Sequence, residues 1–511
     1  MDESSLSTNS SDRQVEETHG FFGAIAGGAT PWQGIAQGAA LLVTSNTAGQ
    51  VLAAVTGLII IRSTDQTGYG HYATALAFAL AFGGFFLMGL GPIVTREIAR
   101  TPPSGSDILY AAVAVTLAWS PLALGAIWTI AKMLGYPKET EALIRLTLVI
   151  AWSSMVTNLL RAALRGFNRM DLDSLTRVVQ GAAGLAFVSI ALISFGTVLS
   201  ATVAMLTATL LTLGLSAMLV SRLVQRPFSY YDSDLARQLL KAALPIGIAL
   251  VLQGLYWRAD TLVLSVLGSV EQVGLYTAAR NTVMLSYGVS LAIISAFFPT
   301  LSALSGDRVR FGTVVETGLR YMSILSLPIG GLIIVLAPQI VRILYGVEFL
   351  DAASSLRVLG LMAPLMFVRV FLWGTLVSLD KQKLLVFAVS VGLVGVLFLC
   401  MLLVPMLGII GTALAAVAGE ACVVVLLGYS VGRQIGGLRP ISTVGSPLLA
   451  TAILACFIWR LQPYLSLWWL VPVGAGVYLL TLIGTRGIRP EELSSALHGL
   501  RGICSRVLVL R

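Results

Sequence analysis

Residues 383–405 read KLLVFAVSVGLVGVLFLCMLLVP, and after two more residues 408–432 read GIIGTALAAVAGEACVVVLLGYSVG. A helix rises 1.5 Å per residue, so roughly 20 apolar residues cross a ~30 Å hydrocarbon core. Each stretch is long enough, and neither alternates as a barrel strand would. In lipid a spanning backbone must satisfy its own hydrogen bonds, so both read as transmembrane helices. Outward from this pair the pattern repeats. It predicts about fourteen spans, at 35–61, 71–94, 106–133, 141–162, 173–195, 197–221, 239–267, 272–303, 312–337, 354–379, 383–405, 408–432, 445–462 and 466–484. The hinges between them are short, and none is large enough for a separate soluble domain.

The composition agrees. Hydrophobic residues make up 57% of the 511 and charged residues 11%, against about 25% charged in soluble domains. A net charge of +9 would suggest nucleic acid in a soluble protein. Here no nucleic-acid partner is expected, because Lys and Arg mark cytoplasmic loops. With both termini inside, 23 of the 33 Lys and Arg fall on inner segments, seven on outer ones and three within spans. The inner set includes Arg96, Arg100, Arg161, Arg165, Arg169, Arg177, Arg222, Arg226, Arg237 and Lys241. This predicts a multi-pass plasma (inner) membrane protein with both termini cytoplasmic. Cys400, Cys422, Cys456 and Cys504 form no CxxC pair, so neither a disulfide framework nor a metal site is expected.

Weak internal matches point to a duplication. Gly70-His71-Tyr72-Ala73-Thr74-Ala75 opens the second span, and Gly274-Leu275-Tyr276-Thr277-Ala278-Ala279 opens the eighth. Phe167-Asn168-Arg169 pairs with Leu379-Asp380-Lys381, and Gly196 with Gly408; the offsets are 204, 212 and 212 residues. Six spans per repeat give two lobes entering the membrane in the same direction, with a site between them. The expected fold is all-α and polytopic: two parallel six-helix lobes around a central cavity, plus two C-terminal helices. The segments are 1–32, a disordered cytoplasmic tail; 33–222, the N-terminal lobe; 223–238, a cytoplasmic linker; 239–433, the C-terminal lobe; 445–484, two additional spans; and 485–511, a cytoplasmic amphipathic tail. That tail starts with Pro490, Glu491 and Glu492, which suit a helix N-terminus.

The seventh span begins Ala243-Leu244-Pro245-Ile246-Gly247 and later carries Leu255-Tyr256-Trp257-Arg258-Ala259-Asp260-Thr261. Val273-Gly274-Leu275-Tyr276-Thr277-Ala278-Ala279 follows, then Phe298-Pro299-Thr300-Leu301. This order resembles the polysaccharide (O-antigen type) flippases of the multidrug/oligosaccharidyl-lipid/polysaccharide exporter superfamily. Gly70-His71-Tyr72 and Leu164-Arg165-Gly166-Phe167-Asn168-Arg169 look like the same family, over roughly residues 33–433. The resemblance implies movement of undecaprenyl-pyrophosphate-linked sugar units from the inner to the outer leaflet, for lipopolysaccharide or exopolysaccharide assembly. It implies no enzymatic chemistry. The implied partners are the lipid-linked oligosaccharide, membrane lipids, and polysaccharide polymerase and glycosyltransferases. A cation-coupled drug or small-molecule exporter of the same superfamily is the alternative. A membrane glycosyltransferase or polymerase would need acidic residues on a sizeable outer loop, and the first outer loop holds only Asp65. No GxxxxGK[ST] motif occurs.

A charge at mid-bilayer costs ~2.5–3.5 kcal/mol on insertion scales, so it faces a cavity or a partner. Arg258, Arg280 and Arg369 are the three basic residues within spans. Guanidinium matches pyrophosphate with two donors against two oxygens, which makes these three candidates to line a substrate cavity. The competing reading is structural ion pairing, with Asp260 or Glu420 as partner. Asp260 and Glu420 thus carry either charge balance or proton or sodium coupling; no other cofactor is expected. Asn46 and Gln50 share an i,i+4 face in the first span and either line the lumen or bond a neighbouring helix. Pro245, Pro328 and Pro364 are hinge candidates, or ordinary membrane-helix prolines. His71 is expected at an outer interface.

Overall fold

A computed structural model describes residues 31–224, 232–437, 440–462, 464, 467–485 and 487. Of the expected segments, residues 1–30 of the first tail, 225–231 of the linker, 463, 465 and 466 of the two additional spans, and 486 and 488–511 of the second tail lie outside them. The described residues form helices joined by short turns, without strands. In order these are α1 (Pro31–Arg62), α2 (Gln66–Leu87), α3 (Leu90–Arg100), α4 (Gly105–Met133), α5 (Lys138–Gly166), α6 (Met170–Phe195), α7 (Val198–Ser221), α8 (Ser233–Leu267), α9 (Val270–Met284), α10 (Tyr287–Ala303), α11 (Arg308–Leu344), α12 (Ala352–Leu359), α13 (Met362–Ser378), α14 (Gln382–Ile435), α15 (Pro440–Leu461) and α16 (Leu467–Gly484).

Eleven segments are long and apolar enough to cross a membrane, or twelve with the bent α12–α13 pair. α14 contributes two crossings. A straight helix would separate Gly392 from Gly419 by about 40 Å at 1.5 Å per residue. A Cβ on Gly419 would instead lie 3.7 Å from the Gly392 carbonyl oxygen. The chain folds back at Gly408, whose φ of 54° and ψ of −127° leave the helical region. With the shorter apolar helix α16, fourteen crossings result, as read from the sequence.

Three crossings expected to be continuous are broken. α2 ends at Met88 and Gly89, both left-handed at φ 46° and 79°. α9 gives way to α10 at Leu285–Ser286, and α12 meets α13 at an angle of 40° around Gly360–Leu361. α8 starts earlier than the expected 239, because the Asp232 carboxylate accepts from the Asp234 and Leu235 amides and caps it.

The hinge matches noticed in the sequence have matching backbone geometry. Asn168 and Asp380 are left-handed at φ 58° and 56°. The amides of Asn168 and Arg169 donate to Arg165 and Leu164 at 3.0 and 2.8 Å; those of Asp380 and Lys381 donate to Val377 and Leu376 at 3.1 and 2.9 Å. Each pair is 212 residues apart, as are Gly196 and Gly408, left-handed at 65° and 54°. Across the lobes, Gly70 packs on Val270 while Gly274 packs on Gln66. Both swaps have the offset 204, the reciprocal contact of a local two-fold relation.

One side of the cleft is closed by an antiparallel seam of α2 and α8. A Cβ on Gly254 would lie 2.8 Å from the Ala81 carbonyl oxygen, and one on Gly247 2.6 Å from the Met88 carbonyl oxygen. Only glycine lets the backbones approach this closely. The break at Met88–Gly89 therefore seats on Ala243–Gly247, the turn that contains Pro245. Gly330, two residues after Pro328, sits the same way against Gly360 and Pro364. Each candidate hinge proline thus lies beside or within a break in a crossing. α15 and α16 pack against α11, where the Tyr478 hydroxyl donates to the Ile324 carbonyl at 2.7 Å.

Candidate functional site

The C-terminal lobe buries two matching constellations. On α8, Asp260 Oδ2 accepts from the Tyr276 hydroxyl at 2.6 Å and from Arg280 Nε at 2.9 Å. Its Oδ1 accepts from the Thr261 amide at 2.6 Å, and Arg280 Nη2 donates to the Trp257 carbonyl at 2.5 Å. One helical turn earlier, the Tyr256 hydroxyl donates to Glu420 Oε2 at 2.7 Å, and Arg369 Nε donates to Glu420 Oε1. The Arg369 guanidinium stands 5.6 Å from the centre of the Trp257 ring. Asp260, Arg280, Arg369 and Glu420 are all at most 4% exposed. Two guanidiniums and two carboxylates cancel, and a cavity of about 20 Å³ lies among them, the size of a water.

Arg369 also lines a larger cavity, of about 500 Å³, with Gln253, Tyr287, Ser295, Phe298 and Trp373. That volume suits a small ligand. Arg258 is placed differently from the other two arginines. It is half-buried on α8, with Arg280, Asp260, Tyr69 and Tyr276 as electrostatic neighbours. Among the described residues no carboxylate forms an ion pair with it. Tyr69 belongs to the other lobe, so Arg258 lies where the two lobes meet.

The N-terminal lobe gathers charge where α5 meets α6. Asp173 is fully buried and faces three guanidiniums. Arg165 Nη1 donates to its Oδ2 at 2.8 Å, Arg177 Nε to its Oδ1 at 3.0 Å, and Arg161 Nε lies 3.8 Å from Oδ1. Arg161 is 4% exposed. It is held by neutral acceptors: Thr176 Oγ1, the Thr176 carbonyl and Gln180 Oε1, each at 2.9 Å. Counting loop arginines as topology markers hid this cluster. The usable signal was spacing, since Arg161 and Arg165, like Asp173 and Arg177, stand i,i+4 on one helix face. Asn46 and Gln50 are exposed on α1 at the level of this cluster; Gly49 between them lies against the Arg177 carbonyl.

The other ends of the lobes are latched. Arg62, closing α1, donates from Nε to the Leu344 carbonyl at 2.7 Å and from Nη2 to the Ile343 carbonyl. Gln66 donates to the Glu348 carbonyl, and Asn281 Nδ2 to the Tyr69 hydroxyl at 3.0 Å. A cation on the exposed carbonyls of a helix C-terminus also complements the helix dipole. His71 is buried rather than interfacial. It bonds Thr140 Oγ1 at 2.5 Å and lies 3.3 Å from Glu139, because α5 starts directly over it.

Comparison with known proteins agrees with this architecture. The family model described as polysaccharide biosynthesis protein matches residues 35–305, and the MatE model matches 245–402. A probable flippase of Haloferax volcanii, AglR, is 22% identical over 90% of this chain and 96% of its own length. The probable low-salt glycan biosynthesis flippase Agl15 of the same organism is 23% identical over 45% of this chain and 49% of its own. Among solved structures, the lipid II flippase MurJ in an inward closed conformation superimposes with a TM-score of 0.74 at 17% identity. That match covers 87% of this chain and 99% of MurJ. An inward-facing multidrug resistance MATE family transporter gives 0.64 at 18%, covering 76% and 95%. The likeness to these structures establishes the fold. The family model spans more than half of the sequence, so the chain belongs to the polysaccharide biosynthesis protein family.

Proposed function

We propose that the protein is a flippase for a lipid-linked glycan, carrying a polyprenyl-pyrophosphate-linked oligosaccharide from the inner to the outer leaflet of the plasma membrane. The observation that carries this reading is the 500 Å³ cavity that reaches Arg369 inside a bundle of apolar helices. A sugar–phosphate headgroup cannot cross hydrocarbon unaided, because each unsatisfied polar group costs several kcal/mol there. A cavity lined by Gln253, Ser295 and Arg369 lowers that cost, while the prenyl chain stays in lipid. Arg258, which forms no ion pair with a carboxylate among the described residues, is the natural contact for the diphosphate. Asp260 and Glu420 act in charge balance, because each is held by one arginine and one tyrosine.

With both termini cytoplasmic, the Arg62 latch closes the outer side, and the headgroup loads from the cytoplasm. Transfer follows when the latch opens and the lobes rock about the broken crossings near Pro245, Pro328 and Pro364. The bound headgroup biases that equilibrium only through its differential affinity for the two states. Glycosyltransferases would supply the substrate and a polymerase would consume it.

The test is a leaflet-resolved assay of fluorescent lipid-linked oligosaccharide in proteoliposomes. The wild-type chain should move label to the opposite leaflet. Arg258→Ala should slow transfer at least tenfold with unchanged folded yield. No transfer by the wild-type chain above empty vesicles would overturn the reading.

A further inference from the structure

At the junction of α5 and α6, one carboxylate serves three guanidiniums. Asp171, the other acid of this turn, is taken up by Arg169 at 2.9 Å. Among the described residues, the cluster around Asp173 therefore keeps two uncompensated positive charges, one of them on the buried Arg161. It also sits at the start of α6, where the helix dipole adds further positive potential. Like charges held this close repel, and an arriving counter-charge relieves that. The donors for one are available. Arg165 spends a single N–H on Asp173, and its other donors have no partner among the described residues. The side chains of Arg165 and Arg177 are 28% and 24% exposed. Asn158 and Gln180 are half-buried beside them.

We propose that Arg165 and Arg177, backed by Arg161, form a binding site for a diphosphate group at the cytoplasmic end of the N-terminal lobe. Asp173 fills the site from within, its two oxygens accepting from Arg165 and Arg177 where phosphate oxygens would take its place. Each arginine then offers two N–H donors to two phosphate oxygens, which a lysine cannot do. The site lies on the lobe opposite the Arg369 cavity and makes first contact with the anionic headgroup before the cleft closes. Naming that headgroup as the natural source of the diphosphate rests on the flippase reading; the site itself rests on the charge count and the free donors.

The experiment uses the full-length chain in nanodiscs of zwitterionic lipid, with binding followed by the rise in melting temperature. The probes are farnesyl diphosphate and inorganic pyrophosphate; a third arm replaces the lipid with phosphatidylglycerol and omits both. Both diphosphates should stabilise the wild-type chain. Arg165→Gln with Arg177→Gln should weaken their binding at least tenfold, and Arg165→Lys with Arg177→Lys should recover only part of it. The unliganded melting temperature of each variant reports folding. Asp173→Asn, if it folds, should bind diphosphate several-fold more tightly because the internal competitor is gone. Equal binding by wild type and the Gln pair would overturn the inference, as would stabilisation by phosphatidylglycerol alone. The readout is binding rather than transfer. A chain that binds diphosphate but moves no lipid would refute the flippase reading and leave the site standing.

Discussion

The two lobes share a backbone plan and differ in how they treat charge. At Asn168 and Asp380 the same left-handed residue closes the same pair of amide bonds, 212 positions apart. Beside the Asn168 hinge the N-terminal lobe leaves arginines in excess over Asp173. The C-terminal lobe closes Arg280 on Asp260 and Arg369 on Glu420. Backbone geometry survives duplication because helix ends must satisfy their carbonyls wherever they occur. Side-chain charge is under no such demand, so the N-terminal lobe gathers arginines in excess beside its hinge while the C-terminal lobe pairs its charges one to one away from its own.

The strongest way to break this contrast is to unbalance the closed lobe. Glu420→Gln leaves Arg369 buried with no counter-charge and should cost about 3–5 kcal/mol. The measurement is melting temperature in detergent, and folded protein should fall steeply. Removing all three partners, Tyr256→Phe, Arg369→Met and Glu420→Leu, should recover most of that loss, since a buried polar network exchanged for apolar packing is close to neutral. The analogous pair in the other lobe, Asp173→Leu with Arg177→Leu, should not recover, because Arg161 and Arg165 remain together without an acid. Equal recovery in both lobes would show that the lobes do not differ in charge balance.

Much of the fold was legible in the sequence. Twenty-residue apolar runs specify crossings through length alone. The turn at Gly408 was readable as a hinge because glycine there precedes a second apolar run. The breaks at Met88–Gly89 and Leu285–Ser286 were not. Gly89 looks like any glycine of a membrane helix until Gly247 is known to press on the Met88 carbonyl. The site was legible in residue type but not in pairing. Arg280 and Arg369 stood out as intramembrane charges, yet which acid each meets depends on how four distant helices pack. The cluster around Asp173 was hidden for another reason: its arginines sit where a topology rule already accounted for them.

A smaller effect is expected at the latch, where the N-terminal lobe again supplies the cation and the C-terminal lobe the acceptors. Arg62 is exposed, so its bonds to the Ile343 and Leu344 carbonyls fall at the weak end for charged hydrogen bonds, about 1–2 kcal/mol together. Arg62→Ala should shift the lobes toward opening at this end by roughly tenfold, since 1.4 kcal/mol is one decade. Spin labels at Lys138 and Val347, both exposed at that end, should show a broader and longer distance distribution. An unchanged distribution would mean that the Gln66 and Asn281 bonds and the α2–α8 seam hold the lobes without Arg62.

The smallest effect tests the shared half of the contrast. Asn168 and Asp380 are both exposed and both left-handed, so their substitution probes backbone conformation with little packing. Alanine lacks the short polar side chain that eases this region, and Asn168→Ala and Asp380→Ala should each cost about 1 kcal/mol. Asn168→Gly and Asp380→Gly should stay within about 0.5 kcal/mol of wild type, because glycine adopts positive φ freely. The decisive quantity is the difference between lobes, read as melting temperatures of the paired variants. Matching costs would tie both hinges to one backbone solution. A cost confined to Asn168 would instead mean that this hinge is held by the arginine cluster next to it, and that charge had reshaped the backbone of one lobe.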